Sequence, residues 1–311
     1  MFNFQKNTYK LILTLFRLLG LIPRKWALRL GDLMGQIVFL VDKKHRRIAL
    51  SNLTHAFGQE KTPYEIRLLA KRAFQNLTQI LFEIGWSLRL DRKDFHKYFS
   101  IKGLSHLRAA YGKGKGVLVL TAHLGNWEFL TIIAAMMGYP CSIVVRPLDF
   151  SPLNDFFVKL RTRFDGKLIP AAWSIGKILR SLKRGELVGI LLDQNVDWYE
   201  GVFVDFFGRM ACTSKGLALL ALKTEVPVVP LFLVRDRSGF RAEAGQEVPL
   251  IKTGDMIKDV EANTEQYNRI IESFIRRFPD QWFWVHQRWK TRPHCQWPRD
   301  KVVSGQWSVA R

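Results

Sequence analysis

The sequence predicts an α/β fold: a mixed, mostly parallel central sheet flanked by helices, with a helical N-terminal segment suited to a membrane surface. Three observations carry this reading. From about residue 116 onward, short apolar runs alternate with stretches of helical spacing, as in strands joined by packed helices. Residues 44–100 read as helical instead. In the first fifty residues, ten Lys or Arg stand against two Asp, so +8 of the chain's net +21 lies there, interleaved with apolar clusters.

Taken in order, the apolar runs Leu11–Phe16, Leu18–Pro23 and Leu33–Val41 each fall short of the roughly 20 apolar residues that span a bilayer. Arg17 splits the first two, and no small-residue cleavage site follows them, which argues against a signal peptide. Cations alternating with apolar clusters, with Trp26 and Phe39 as large anchors, suit a segment lying in the membrane interface. The plainer alternative is a helical pair packed on the body. Without a linker rich in Gly, Pro or Ser, the division expected is membrane-associating helices over 1–43 and a single α/β body over 44–311.

Thr62-Pro63-Tyr64-Glu65 is a helix start, with Pro in the first turn and Glu placed for a capping box. Gly116–Ala122 is apolar enough for a strand buried on both faces. Phe129, Leu130, Ile132, Ile133, Met136 and Met137 follow at helical spacing, and Gly138-Tyr139-Pro140 separates them from a strand at Cys141–Val145. Ser151-Pro152 opens a helix running to Phe164 and stopping near Gly166. A strand at Lys167–Pro170, a helix at Ser174–Arg184 and a strand at Leu187–Leu192 come next. A long loop then leads to a helix around Thr213–Lys223, strands at Val226–Val234 and Phe240–Pro249, and a closing amphipathic helix at Asn263–Arg277. Pro227 and Pro230 suggest an edge or bulged strand, hence a mixed sheet.

With 48% hydrophobic and 24% charged residues over 311 positions, the chain can bury a sizeable core, and global disorder is excluded. Cys141, Cys212 and Cys295 form no C-x-x-C pair, which argues against a disulfide framework or a structural zinc site. The net charge of +21 asks for an anionic partner: nucleic acid, acidic lipid headgroups or an acidic carrier protein.

Open α/β sheets bind ligands beyond the carboxyl ends of their strands, and two such ends carry polar groups. The first is Thr121-Ala-His123-Leu-Gly125-Asn126-Trp127-Glu128. Gly125 permits a tight turn, Asn126 is placed to cap the helix beginning at Trp127, and Glu128 falls in its positive first turn. On one continuous helix His123 and Glu128 would point about 140° apart. A strand–turn–helix junction removes that obstacle, letting the carboxylate orient the imidazole while the imidazole abstracts a proton. A hydrogen-bonded core histidine beside a capping carboxylate is the alternative. The second strand end is Asp193-Gln194.

Other signals carry less. Gly112-Lys-Gly-Lys-Gly116 precedes its strand and lacks the Gly-Lys-Ser/Thr ending of a phosphate loop. His286 is a second possible base, in a segment whose Trp282, Trp284 and Trp289 suit packing or interfacial anchoring. His45, His55, His96, His106 and His294 have no partner motif. No H-E-x-x-H, paired carboxylates or G-x-S-x-G occurs, so no metal ligand set is expected.

His123-Leu-Gly-Asn-Trp-Glu128 is an H-x4-E motif, and it resembles that of the lipid A biosynthesis late acyltransferases, in the lysophospholipid acyltransferase superfamily. The resemblance covers most of the chain. It extends through Val145-Arg146-Pro147, Leu160-Arg161-Thr-Arg163-Phe164 with Gly166, Asp193-Gln194, Gly201–Arg209 leading into Thr213-Ser-Lys-Gly216, and Gln281–Lys290. It implies an acyltransferase with no cofactor, taking its acyl group from an acyl carrier protein thioester, with His123 as general base oriented by Glu128. It also implies substrate binding by Arg161 or Arg163, and by Arg146, Asn126, Asp193 and Gln194. The acceptor implied is a glycolipid hydroxyl, of a lipid A precursor or alternatively of a phosphatidylinositol mannoside. The work would be done among anionic lipids at the cytoplasmic face of the inner membrane.

Two readings compete. A basic nucleic-acid-binding protein would use the charge, but no helix-turn-helix, finger or RNP-type motif accompanies it, so no nucleic-acid partner is expected. A membrane scaffold that had lost turnover would not need His123 and Glu128.

Overall fold

The computed structural model describes residues 2–172, 174–236 and 239–293. His294, Cys295 and the rest of 294–311, the end of the expected body, lie outside the described residues. The chain runs α1 (Phe2–Leu21), α2 (Arg24–Val41), α3 (Lys43–Phe57), α4 (Pro63–Ser87), α5 (Phe95–Tyr98), β1 (Phe99–Lys102), α6 (Leu104–Tyr111) and β2 (Val117–Thr121). It continues through α7 (Leu130–Met137), β3 (Cys141–Val145), α8 (Ser151–Thr162), β4 (Lys167–Pro170), α9 (Ile175–Lys183) and β5 (Leu187–Leu191). The last third holds β6 (Gly201–Phe206), β7 (Arg209–Ser214), α10 (Gly216–Thr224), β8 (Val228–Arg235), β9 (Phe240–Ala244) and α11 (Met256–Arg277).

Seven strands form the central sheet in the order β1-β9-β8-β2-β5-β3-β4. Every neighbouring pair is parallel except β8 and β9, so the sheet is mixed and mostly parallel. Both its faces are covered, as the unbroken apolar runs require. Leu118, Leu120, Val188 and Val228 pack under α4, α10 and α11 with Phe74, Ala221 and Ile271. Their alternates Val117, Val119, Leu187 and Val229 pack against Phe95, Leu107 and Ile133 on the other side.

The structure corrects several expectations. β8 is interior, between β9 and β2, despite Pro230; Pro227 lies just before it. Pro230 stands where pairing to β2 ends and pairing to β9 begins, so its missing N–H falls between the two ladders. The stretch expected as a long loop before Thr213 contains the hairpin β6–β7. Its turn puts Phe207 and Gly208 at positive φ, 57° and 73°. A phenylalanine there is unusual, and it is held by packing on Phe57 and Trp284 and by its N–H donating to Glu272. β1 closes one edge of the sheet, beginning at Phe99 within the last two residues of the stretch read as helical. α11 starts at Met256 because Asp255 caps it, its carboxylate accepting from the N–H groups of Ile257 and Lys258.

α2 buries Ala27, Gly31, Gly35 and Phe39, with the Gly side against α4. A Cβ on Gly35 would lie 2.4 Å from Gln75 Cα, so only glycine allows this approach. The opposite stripe of α2, Trp26, Leu30, Leu33, Ile37 and Leu40, is exposed. No helix among the described residues is long and apolar enough to cross a membrane.

Candidate active site

β2 and β5 are adjacent and parallel, with Thr121 registered on Leu191. Two residues further along each chain, the same register brings His123 beside Asp193. His123 Nδ1 lies 2.8 Å from Asp193 Oδ1, and the His123 backbone N–H donates to Oδ2 at 3.0 Å. A carboxylate only accepts, so Nδ1 carries the ring proton and Nε2 is left as the base. Gln194 Nε2 stands 3.3 Å from that Nε2. Asp193 is buried. Burial pushes its carboxyl up, but the charge and hydrogen bonds of His123, with a bond from Trp282 Nε1 at 2.7 Å, outweigh that and hold it below the usual range.

Glu128 lies in the first helical turn, opened at Trp127, as expected, yet it does not orient His123. Its carboxylate takes a bidentate pair from Arg161 on α8, Nε to Oε2 at 2.7 Å and Nη2 to Oε1 at 2.8 Å. Trp127 Nε1 donates to Oε1 at 3.1 Å. The pairing exceeds the cost of burial for Arg161, which therefore holds its proton more tightly than a free arginine. The guanidinium Nη1 is the nitrogen this pair does not use.

A cleft of about 470 Å³ opens at the carboxyl ends of β2, β5 and β3, with Asp193 buried behind its lining. His123, Gln194, Glu128, Arg161 and Arg146 give it polar groups, and Leu130, Ile143, Leu148, Leu191, Trp127 and Phe283 give it apolar walls. Arg146, one residue beyond β3, has a side chain 84% exposed with Asp149 at 3.9 Å.

Three expected substrate-binding residues do not line the cleft: Asp193 is buried behind His123 with both oxygens taken by protein donors, and Asn126 and Arg163 point elsewhere. Asn126 makes no helix cap. It is fully buried, and its Nδ2 donates to Glu83 on α4 at 2.9 Å, because Glu83, also gripped by Arg235, is the stronger acceptor. Arg163 turns back from the cleft to the end of α4 and the turn that follows it, donating to Ser87 O and Leu90 O at 2.8 Å. There it adds a charged donor to Ser87 O, which also accepts the Leu90 N–H at 3.0 Å.

The closing segment supplies further groups that no motif in the sequence marks. Phe283 walls the cleft with its ring 5.9 Å from that of His123. His286 is no second base: its Nε2 accepts the Asn195 N–H at 2.8 Å, and burial pushes it down to about 4. Arg288 is buried and ties the loop after β5 to β7, donating to Cys212 O at 2.8 Å and to Thr213 Oγ1. The signal for the Asp193 partnership is its position, two residues past an apolar strand just as His123 is. Among the described residues no cluster of three or more His, Cys, Asp or Glu could hold a metal ion.

A sequence model of the bacterial lipid A biosynthesis acyltransferases matches residues 3–291. A lipid A biosynthesis acyltransferase of Haemophilus influenzae is 28% identical over 277 residues, 88% of this chain and 85% of its own. The lipid A biosynthesis palmitoleoyltransferase of Escherichia coli is 28% identical over 274 residues, 85% of each chain. The lauroyltransferase of the same organism and pathway name is 25% identical over 279 residues, 88% of each chain.

Proposed function

The chain belongs to the bacterial lipid A biosynthesis acyltransferase family and is an acyltransferase, and on that premise we propose that it moves a fatty acyl group from an acyl carrier protein thioester to a hydroxyl of a lipid A precursor. The observation that supports the chemistry is the pairing of His123 with Asp193 beside a mostly apolar cleft that also holds Arg161. In this reading His123 Nε2 takes the acceptor's proton as its oxygen attacks the thioester carbonyl. Asp193 keeps the tautomer and offsets the imidazolium. The tetrahedral intermediate then breaks its C–S bond, and the carrier's thiolate recovers the proton from His123.

Arg161, fixed by Glu128, is the cation for the anionic partner in the cleft, an acceptor phosphate or the developing oxyanion. No cofactor is required. The exposed stripe of α2 and the basic N-terminal charge support docking on anionic lipid, at the cytoplasmic face of the inner membrane.

The test is to combine purified protein, acyl carrier protein thioester and lipid A precursor and read the product by mass. An acylated precursor is expected, and none with His123→Ala. Full activity in that variant would overturn the mechanism, and transfer only to other glycolipids would overturn the acceptor.

A further inference from the structure

The segment after α11 does more than supply Phe283 as a wall. Its backbone runs against the motif: Gly125 N–H donates to Gln281 O at 3.0 Å, Phe283 N–H donates to His123 O at 3.2 Å, and Leu124 and Trp282 form an antiparallel bridge. Trp282 is 1% exposed, and its indole N–H points onto Asp193 Oδ2. We propose that Trp282 is a positioning residue for acyl transfer, its indole N–H clamping the Asp193 carboxylate so that Oδ1 stays on His123 Nδ1. The inference rests on the reading of His123 as base and adds a residue to it.

A carboxylate with no water around it must find its donors in the protein. Asp193 has His123 Nδ1–H on Oδ1, and the His123 N–H and Trp282 on Oδ2. Without the indole, Oδ2 keeps only the backbone donor, and the carboxylate can rotate off the imidazole. Tryptophan suits the task because its N–H only donates and its ring cannot shift. It is wedged between Phe206 at 5.7 Å and Trp284 at 4.6 Å between centroids. Trp284 provides the contrast: it is buried in the same cluster, but its Nε1 donates to Pro279 O at 2.6 Å, away from Asp193.

Trp282→Phe keeps a buried ring and removes the donor. The expected result is a kcat about tenfold lower with both KM values unchanged, the loss of one hydrogen bond to a charged group. The acid limb of the pH–rate profile should move upward, because the His123–Asp193 pair, missing a donor to its anion, takes up a proton more readily. Trp284→Phe should lower the thermal midpoint without moving the profile. In an Asp193→Asn background, Trp282→Phe should cost no further kcat. A wild-type kcat and profile in Trp282→Phe, or an additive loss in the Asp193→Asn background, would overturn the proposal. Wild-type turnover in His123→Ala would instead remove the underlying reading. Should Trp282→Phe not fold, wild-type protein labelled with 15N at its indoles answers the same question. The indole resonance displaced by Asp193→Asn must titrate with the acid limb, and its failure to do so overturns the proposal.

Discussion

Arg161 closes on Glu128 with two parallel hydrogen bonds, at 2.7 and 2.8 Å, and this commits the motif's carboxylate to a guanidinium instead of to the imidazole. The two acids of the site therefore have separate tasks, Asp193 on His123 and Glu128 on Arg161, and separate signatures on mutation. Asp193→Asn should cut kcat by about 10³-fold or more with little change in KM, since the two N–H donors on the Oδ2 side claim the amide oxygen and turn its NH2 toward Nδ1, which then cannot carry the ring proton.

Glu128→Gln should behave differently. Both partners are largely buried, with side chains 6% and 18% exposed, so it leaves Arg161 as an uncompensated charge. A loss of about 3 kcal/mol in denaturant unfolding is expected, with a raised acceptor KM as Arg161 shifts. Glu128→Met with Arg161→Met should recover most of the stability and none of the activity. Equal kinetic signatures for Asp193→Asn and Glu128→Gln would refute the division of labour.

The sheet was legible because β2, β5 and β3 are apolar runs buried on both faces, and such runs need no tertiary context to be read. The hairpin β6–β7 was not. Its turn uses Phe207 at positive φ, stabilised by Phe57, Trp284 and Glu272 from distant parts of the chain. Position similarly separates what could be read of the site. His123, Glu128, Asp193, Gln194 and Arg161 all reach the cleft or its supporting shell. The pairing of these groups depends on the β2–β5 register and on how α8 crosses the motif. Arg161 and Arg163 are two residues apart on one helix end, and only packing against α4 decides that the second faces away.

Gly125 is the point on which the motif turns. Its φ is +60°, and a Cβ there would lie 2.2 Å from Leu233 O. Gly125→Ala must pay the left-handed penalty and push His123 and Trp127 away from β8. A destabilisation above about 2 kcal/mol is expected, with activity lost even where the fold persists. Thermal unfolding and turnover of the purified variant check both.

The exposed stripe of α2 makes a prediction that leaves the cleft untouched. Leu33 and Ile37 are 55% and 52% exposed, on the face opposite the glycines that meet α4. Leu33→Ser with Ile37→Ser should weaken flotation with anionic vesicles and leave the thermal midpoint within about 1 °C, since little buried surface changes. Unaltered flotation would exclude this face as the docking surface.

His286 ties the stability of the site to pH. In the folded protein burial holds it down at about 4, and its neutral Nε2 accepts the Asn195 N–H. The unfolded histidine titrates at about 6.5. Between these values the unfolded chain binds a proton that the folded chain refuses, so stability falls as pH drops from about 6.5 and the loss levels off below about 4. Glutamine offers an acceptor oxygen that does not titrate. His286→Gln should therefore flatten the dependence of unfolding free energy on pH across this window, measured by denaturant titration at several pH values. An unchanged slope would place the acid sensitivity in another group.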